Sequence, residues 1–269
     1  MLGNLTSAAP WRCHSVVKFP ANEPGPFVVD AWGDHIDITG GAVTGPRYVT
    51  MTAIAKHNGP DAPHLVANEY VSMKLGLALE LPVVMGAISK SEDEDQLVYL
   101  SFRVGAKSEA PPPVIPAHLV ADFPDIAAGL VAFDIWIGNE DRHDRNLAYT
   151  RNHQPVAIFD HSHALFRLKQ GGGREGLLKR AKLPMVAGRI VPELLSDRDL
   201  KEWARRIKSV RDETIRRICD SALHHDAFDS DERDALKSFL VYRRDRIDEF
   251  VSGAAALFKK MKKEEGELF

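Results

Sequence analysis

The pattern of apolar and polar positions divides the chain into a strand-rich first part and a helical second part. Phe27 to Asp30, Ile36 to Thr39 and Tyr48 to Lys56 are short β-prone segments separated by glycines. Pro63 opens a predicted helix running to about Leu81, in which Leu65, Glu69, Met73 and Leu77 recur at helical spacing and share one stripe. Val83 to Ile88 and Leu97 to Arg103 read as two further strands, joined as a hairpin by the polar run KSEDEDQ. Pro111, Pro112, Pro113 and Pro116 fit neither a helix interior nor a central strand, and predict a stiff, extended connector.

Beyond the connector, Ile126 to Gly138 is apolar almost all round, a pattern that demands a buried helix. NLAYT and PVAIFD predict two short strands around the turn RNHQ. From Ser196 onward the pattern is helical. SDRD and SDERD supply N-capping residues and acidic first turns. Leu236, Leu240, Ile247 and Val251, with Phe239 and Phe250, mark one helical face. The fold expected is α+β and two-lobed: a small β-rich lobe over 1–104, a proline-rich connector over 105–117, and a mainly helical lobe over 118–269. A ligand would enter the cleft between the lobes.

Composition narrows the classes of function. With 269 residues, 44% hydrophobic and 27% charged, the chain can bury a sizeable core. Its 35 basic and 38 acidic residues nearly cancel, which argues against bulk nucleic-acid binding and leaves room for a local phosphate-binding patch. Cys13 and Cys219 are too few for a disulfide framework and lack metal-ligand spacing. The opening MLGNLTSAAPWRCHS has neither a basic start nor an apolar core, so no secretory signal is expected. The longest apolar stretch contains Asp134 and falls short of the ~20 residues of a spanning helix. A soluble, cytoplasmic protein is expected.

The segment IWIGNEDRHDRNLAYTRNHQPVAIFDHSHALF carries the chemistry. A buried helix gives way to a run of polar residues that includes Asp141, His143, Asp144 and Asn146. Asn146 and Asp160 stand symmetrically about His153, so a hairpin turning there sets them opposite each other at its open end. An amide oxygen and a carboxylate meeting in one place suit magnesium, which takes one or two protein oxygens together with substrate phosphates. Asp141 precedes Asn146 with the D-x-x-x-x-N spacing of kinase catalytic loops, in which the aspartate receives the acceptor's proton and the asparagine holds metal.

Such a site needs an upstream lysine held by a helical carboxylate. TAIAK ends in Lys56 after a β-prone run and is similar to V-A-I-K. Glu69, on its apolar stripe, needs a partner because an unpaired buried charge is costly. Gly40, Gly41 and Gly45 in ITGGAVTGPR supply flexible backbone that could cover phosphates, with Arg47 nearby. The segment is neither a P-loop nor G-x-G-x-x-G. His143 is expected to brace the catalytic loop. His161 and His163 would share a face if that segment were a strand. An alternative reading takes the Asp/His cluster as a metal-dependent phosphohydrolase; another takes the chain as a nucleotide-binding pseudokinase.

GNEDRHDRNL, IFDHSHALF and LVANEYVSMKLGLALELPV together resemble the HipA-like branch of the kinase superfamily over roughly Thr39 to Phe166. That resemblance implies ATP and Mg2+ as cofactors, Lys56 and Glu69 as the ion pair, and Asp141 as catalytic base with His143 beside it. It implies Asn146 and Asp160 as magnesium ligands, and Leu100 to Val104, including Phe102, as the hinge contacting adenine. It also implies a protein Ser/Thr acceptor such as a translation component, and an antitoxin partner. No D-F-G is present; Asp160 is followed by His-Ser.

Overall fold

The computed structural model describes residues 29–35, 47–91, 96–104, 114–149, 156–168, 172–183 and 195–255. Strands dominate the first part. β1 (Val29–His35) pairs antiparallel with β2 (Arg47–Met51), and β3 (Ala53–His57), β4 (Gly86–Lys90) and β5 (Leu97–Phe102) form an antiparallel sheet with β5 in the middle. The β-prone stretch Tyr48 to Lys56 is therefore two strands in two sheets, parted at Thr52. Ile36 to Thr39 and the glycines Gly40, Gly41 and Gly45 lie outside the described residues, as do Pro111 to Pro113.

α1 (Leu65–Ala78) is buried almost all round, from Val66 to Met73 and again at Leu75 and Gly76. The expected single stripe understated it, and Leu77, placed on that stripe, is exposed. The helix packs on β3, β4 and β5 on one side and on the helical part of the chain on the other. Pro116 corrects the extended connector: it is the first residue of α2 (Pro116–Asp122), where a missing N–H removes no helical bond.

α3 (Pro124–Ile137) is buried from Ala127 to Ile137, as its composition demands, and closes on Gly138 at φ 70°, a left-handed cap that favours glycine. β6 (Leu147–Tyr149) and β7 (Val156–Ile158) form the expected antiparallel pair. α4 (Gly173–Arg180) takes up the second half of RLKQGGGREG, so that glycine-rich stretch is partly helical. α5 (Asp197–Lys208) is capped by Ser196, whose side chain accepts from the Arg198 N–H. α6 spans Asp212–His224.

α7 (Ser230–Asp245) and α8 (Ile247–Ala255) share the predicted apolar face, and all six of its residues are buried, but the chain breaks between two helices at Arg246. The cap of α7 is Asp229, one residue ahead of SDERD, in a reciprocal capping box with Glu232. One main apolar cluster runs from α1 through α3 to α8, and a smaller one groups Val84, Ala148 and Ala157 with Phe102, Val104 and Phe159. No described helix is long and apolar enough to cross a membrane.

Candidate active site

Lys56 points from β3 into the space between α1 and the end of β7. Its Nζ lies 2.5 Å from Glu69 Oε1 and 3.2 Å from Asp160 Oδ1, so one ammonium ties strand, helix and hairpin together. Glu69 is 2% exposed and also accepts the His161 backbone N–H at 3.1 Å. Burial alone would push its carboxyl up. The His161 contact and the Lys56 charge together outweigh that and hold it below the ordinary carboxylate value. Burial likewise opposes the charge on Lys56, and the two carboxylates overcome it and raise the ammonium above its ordinary value. At Asp160 burial is again overcome, by Lys56 and by bonds from Ser162, and the carboxyl falls to about 2.

Asp160 sits in left-handed backbone at φ 60°, as do Leu165 at 48° and Arg167 at 61°. Non-glycine residues pay for that conformation, so the segment must be held from outside. Asn68, beside Glu69 on α1, does so: its Nδ2 donates to Ser162 O at 2.8 Å and its Oδ1 accepts from Phe166 N–H at 3.1 Å. Leu165 N–H donates to Ile137 O at 2.9 Å. Tyr70 completes the N-E-Y run with a 2.8 Å bond to Ser221 on α6. Each of these three side chains therefore holds a different part of the structure.

The loop bearing Asp141 is anchored by residues the sequence did not single out for that task. Arg142 is 1% exposed and meets Asp134 of α3 through Nε (2.9 Å to Oδ2) and Nη2 (3.1 Å to Oδ1). Its Nη1 donates to the carbonyls of Asn146 (3.3 Å) and Phe159 (2.5 Å). Asn139 donates to Asp134 at 2.9 Å and accepts from the Asp141 N–H at 3.3 Å. Arg142 thus braces the loop against α3. His143 caps the short 3-10 turn Asp144–Asn146, accepting from Arg145 N–H.

The Asp141 side chain is 49% exposed and faces two imidazoles, His163 Nε2 at 3.6 Å and His143 Nε2 at 4.0 Å from its Oδ2. His161 and His163 do not share a face. The segment is a turn, with His161 buried against Glu69 and Phe133 and His163 directed at Asp141. Among the described residues no three His, Cys, Asp or Glu side chains group as cation ligands.

The hairpin register differs from the expected one by a residue. Leu147 pairs with Ile158, so Asn146 lies opposite Phe159, whose N–H donates to Asn146 O at 3.2 Å. Asp160 follows, and its left-handed backbone takes the chain out of the ladder. Asn146 Nδ2 donates to Asp141 O at 3.0 Å. Because a carbonyl only accepts, that contact fixes the amide nitrogen inward and leaves the amide oxygen as the end able to meet a cation. An amide oxygen and an ionised carboxylate just beyond the open end of the hairpin are the hard oxygen donors magnesium takes. Phe102 ends β5, donates its N–H to Met85 O at 3.0 Å and packs in the smaller apolar cluster.

The fold is kinase-like. Among solved structures the chain is similar to the proinflammatory kinase CtkA of Helicobacter pylori, with a TM-score of 0.56 and 14% identity over 81% of this chain and 94% of that one. It is also similar to a Shewanella oneidensis HipA, solved with HipB and operator DNA, with a TM-score of 0.42 and 14% identity over 88% of this chain and 70% of that one. At 14% identity the likeness to CtkA is one of fold alone. No protein-family model and no curated protein sequence matches the chain.

Proposed function

We propose that the protein is an ATP- and Mg2+-dependent phosphotransferase that moves the γ-phosphoryl group to a Ser/Thr hydroxyl of a protein. The observation that carries this reading is the bridging of Lys56 between Glu69 and Asp160 beside a loop that presents Asp141. A lysine held by a buried carboxylate cannot swing away, so its charge is pre-positioned for nucleotide phosphates. Asp160 and the oxygen end of Asn146 would hold magnesium, which when bound neutralises charge on the β- and γ-phosphates.

In this reading the hydroxyl oxygen attacks the γ-phosphorus, the bond to the β-bridging oxygen breaks, and ADP leaves. Asp141 takes the hydroxyl proton, and His143 and His163 steady its carboxylate. The exposed Ile54 lies on the same face of β3 as Lys56 and offers the base an apolar contact, whereas Phe102, one of the hinge residues the motifs imply, pairs with Ala53 on the other face. Gly40, Gly41 and Gly45, between two paired strands, would cover the phosphates. We assign the part up to 104 to a nucleotide-covering lobe and the part from 118 to the lobe carrying the catalytic loop. A translation component as acceptor and an antitoxin partner are what the sequence motifs imply, and a cytoplasmic location is what composition and the N-terminal sequence lead one to expect.

The test is transfer of labelled γ-phosphate to the protein itself or to a lysate, with magnesium and with chelator. Asp141→Asn should lower transfer by about a hundredfold or more while nucleotide still binds. An unchanged rate in that variant contradicts the reading.

A further inference from the structure

Beside the Asp141 loop, the described residues place three arginines near one carboxylate. Arg167, Arg180 and Arg243 act on one another electrostatically, and Glu140 is the carboxylate that acts on Arg180 and Arg243. Arg243 is fully employed: it donates to the carbonyls of Trp136 (3.0 Å), Ile135 (2.5 Å) and Leu183 (2.9 Å) and lies 4.2 Å over the Phe250 ring. Arg180 is not. It is 7% exposed and donates through Nη2 to Leu165 O at 2.6 Å, yet its Nε and Nη1 are buried without a hydrogen-bond partner among the described residues. A buried guanidinium with two unmet N–H groups carries a desolvation cost that an anionic acceptor would remove.

The open side of the cluster is Arg167. Its side chain is 24% exposed and forms an ion pair with Glu140, itself 47% exposed. Glu140 directly precedes Asp141. Among the described residues, Glu140 pairs directly with Arg167 and acts electrostatically on Arg180 and Arg243, and it belongs to the loop bearing the proposed base.

We propose that Arg180 and Arg167 form a binding site for a phosphate-type oxyanion, in which Glu140 acts as an internal stand-in that the ligand displaces. A planar guanidinium pairs its N–H groups with two phosphate oxygens, which suits the free pair on Arg180. Because those N–H groups are sealed, access runs through opening of the Arg167–Glu140 pair. Occupancy is thereby coupled to the loop that presents Asp141. The phosphate is either a free ion or one carried on a phosphorylated side chain. The site does not depend on the phosphotransfer reading.

The experiment uses the full chain after phosphatase treatment, titrated calorimetrically with inorganic phosphate at an ionic strength held constant with chloride. Saturable binding is expected, and it should persist in Lys56→Met, which removes the lysine proposed for nucleotide phosphates. Arg180→Lys keeps a cation and should weaken binding about tenfold. Arg167→Gln should also weaken it, and serves if Arg180→Lys does not fold. Glu140→Gln removes the competitor and should tighten binding. Phosphate binding that is lost in Lys56→Met and unmoved by the Arg167, Arg180 and Glu140 variants overturns the proposal, as does an absence of binding beyond chloride. Mass spectrometry separates the sources. A chain purified with covalent phosphate, and binding the free ion only after treatment, points to a phosphorylated side chain. Equal binding before and after treatment points to the free ion.

Discussion

Arg142 and Asp134 form a buried, doubly hydrogen-bonded ion pair, with Nε to Oδ2 at 2.9 Å and Nη2 to Oδ1 at 3.1 Å and both side chains 1% exposed. The pair fastens the Asp141 loop to α3, and the third guanidinium nitrogen closes the end of the β6–β7 hairpin. Removing one partner strands the other's charge in the core. Arg142→Met or Asp134→Ala should each cost about 3–5 kcal/mol in urea unfolding. Because the two changes remove the same interaction, the double variant should cost clearly less than the sum. Additive losses would show that the pair does not act as a unit.

Asn68 supports a second prediction. It is fully buried and satisfies one carbonyl and one N–H of the segment that follows Asp160. Asn68→Ala leaves both backbone groups without a partner, at about 1–3 kcal/mol each. Amide exchange should rise in residues 161–166 before it rises in α5 or α6. Uniform acceleration across the chain would mean that Asn68 supports the core generally rather than this segment.

The Lys56–Glu69 pair was legible because Glu69 sits among apolar residues and needed a cation, and TAIAK offered one at the end of a strand. The α3 helix was legible from a stretch apolar almost all round, and the hairpin from two short β-prone runs about the turn RNHQ. The register was not. Symmetry about His153 gave a pairing one residue away from the observed one, because nothing in the sequence announces the left-handed turn at Asp160 that ends the ladder. Arg142 was hidden in a run of charged residues that reads as a surface turn. The available signal was Asp134, a charge inside a helix that must be buried and therefore needs a partner. The same reasoning, applied to Asn68 next to Glu69, would have found the clamp on the following segment.

The charge network predicts a pH dependence. Asp160 is depressed from its ordinary 3.8 to about 2, so its contribution is complete above pH 3.8 and is lost as pH falls through about 2. Glu69, lowered from 4.5, acts in the same direction. Lys56 is raised above 10.5, so its contribution is complete below that pH and is lost as pH rises through the raised value. Melting temperature measured from pH 5 down to pH 2 should fall less steeply in Asp160→Asn than in the parent, with a residual slope from Glu69. Parallel curves would contradict the pairing of Asp160 with Lys56.

Gly172 gives a steric prediction. A Cβ there would lie 2.0 Å from Leu168 O and 2.5 Å from Phe166 O, both rigid backbone atoms. Gly172→Ala must shift the chain entering α4, at a cost of about 1–3 kcal/mol by chemical denaturation. A neutral substitution would show that Gly172 approaches Phe166 and Leu168 less closely.

The most direct measurement of the central claim is a crystal structure with magnesium and a non-hydrolysable ATP analogue. The expected density is a cation shared by phosphate oxygens, the Asp160 carboxylate and the Asn146 amide oxygen, with Lys56 on the phosphates and the Asp141 carboxylate open toward the γ-phosphate. Nucleotide bound elsewhere, or positions 146 and 160 both without contact to the cation, would contradict it.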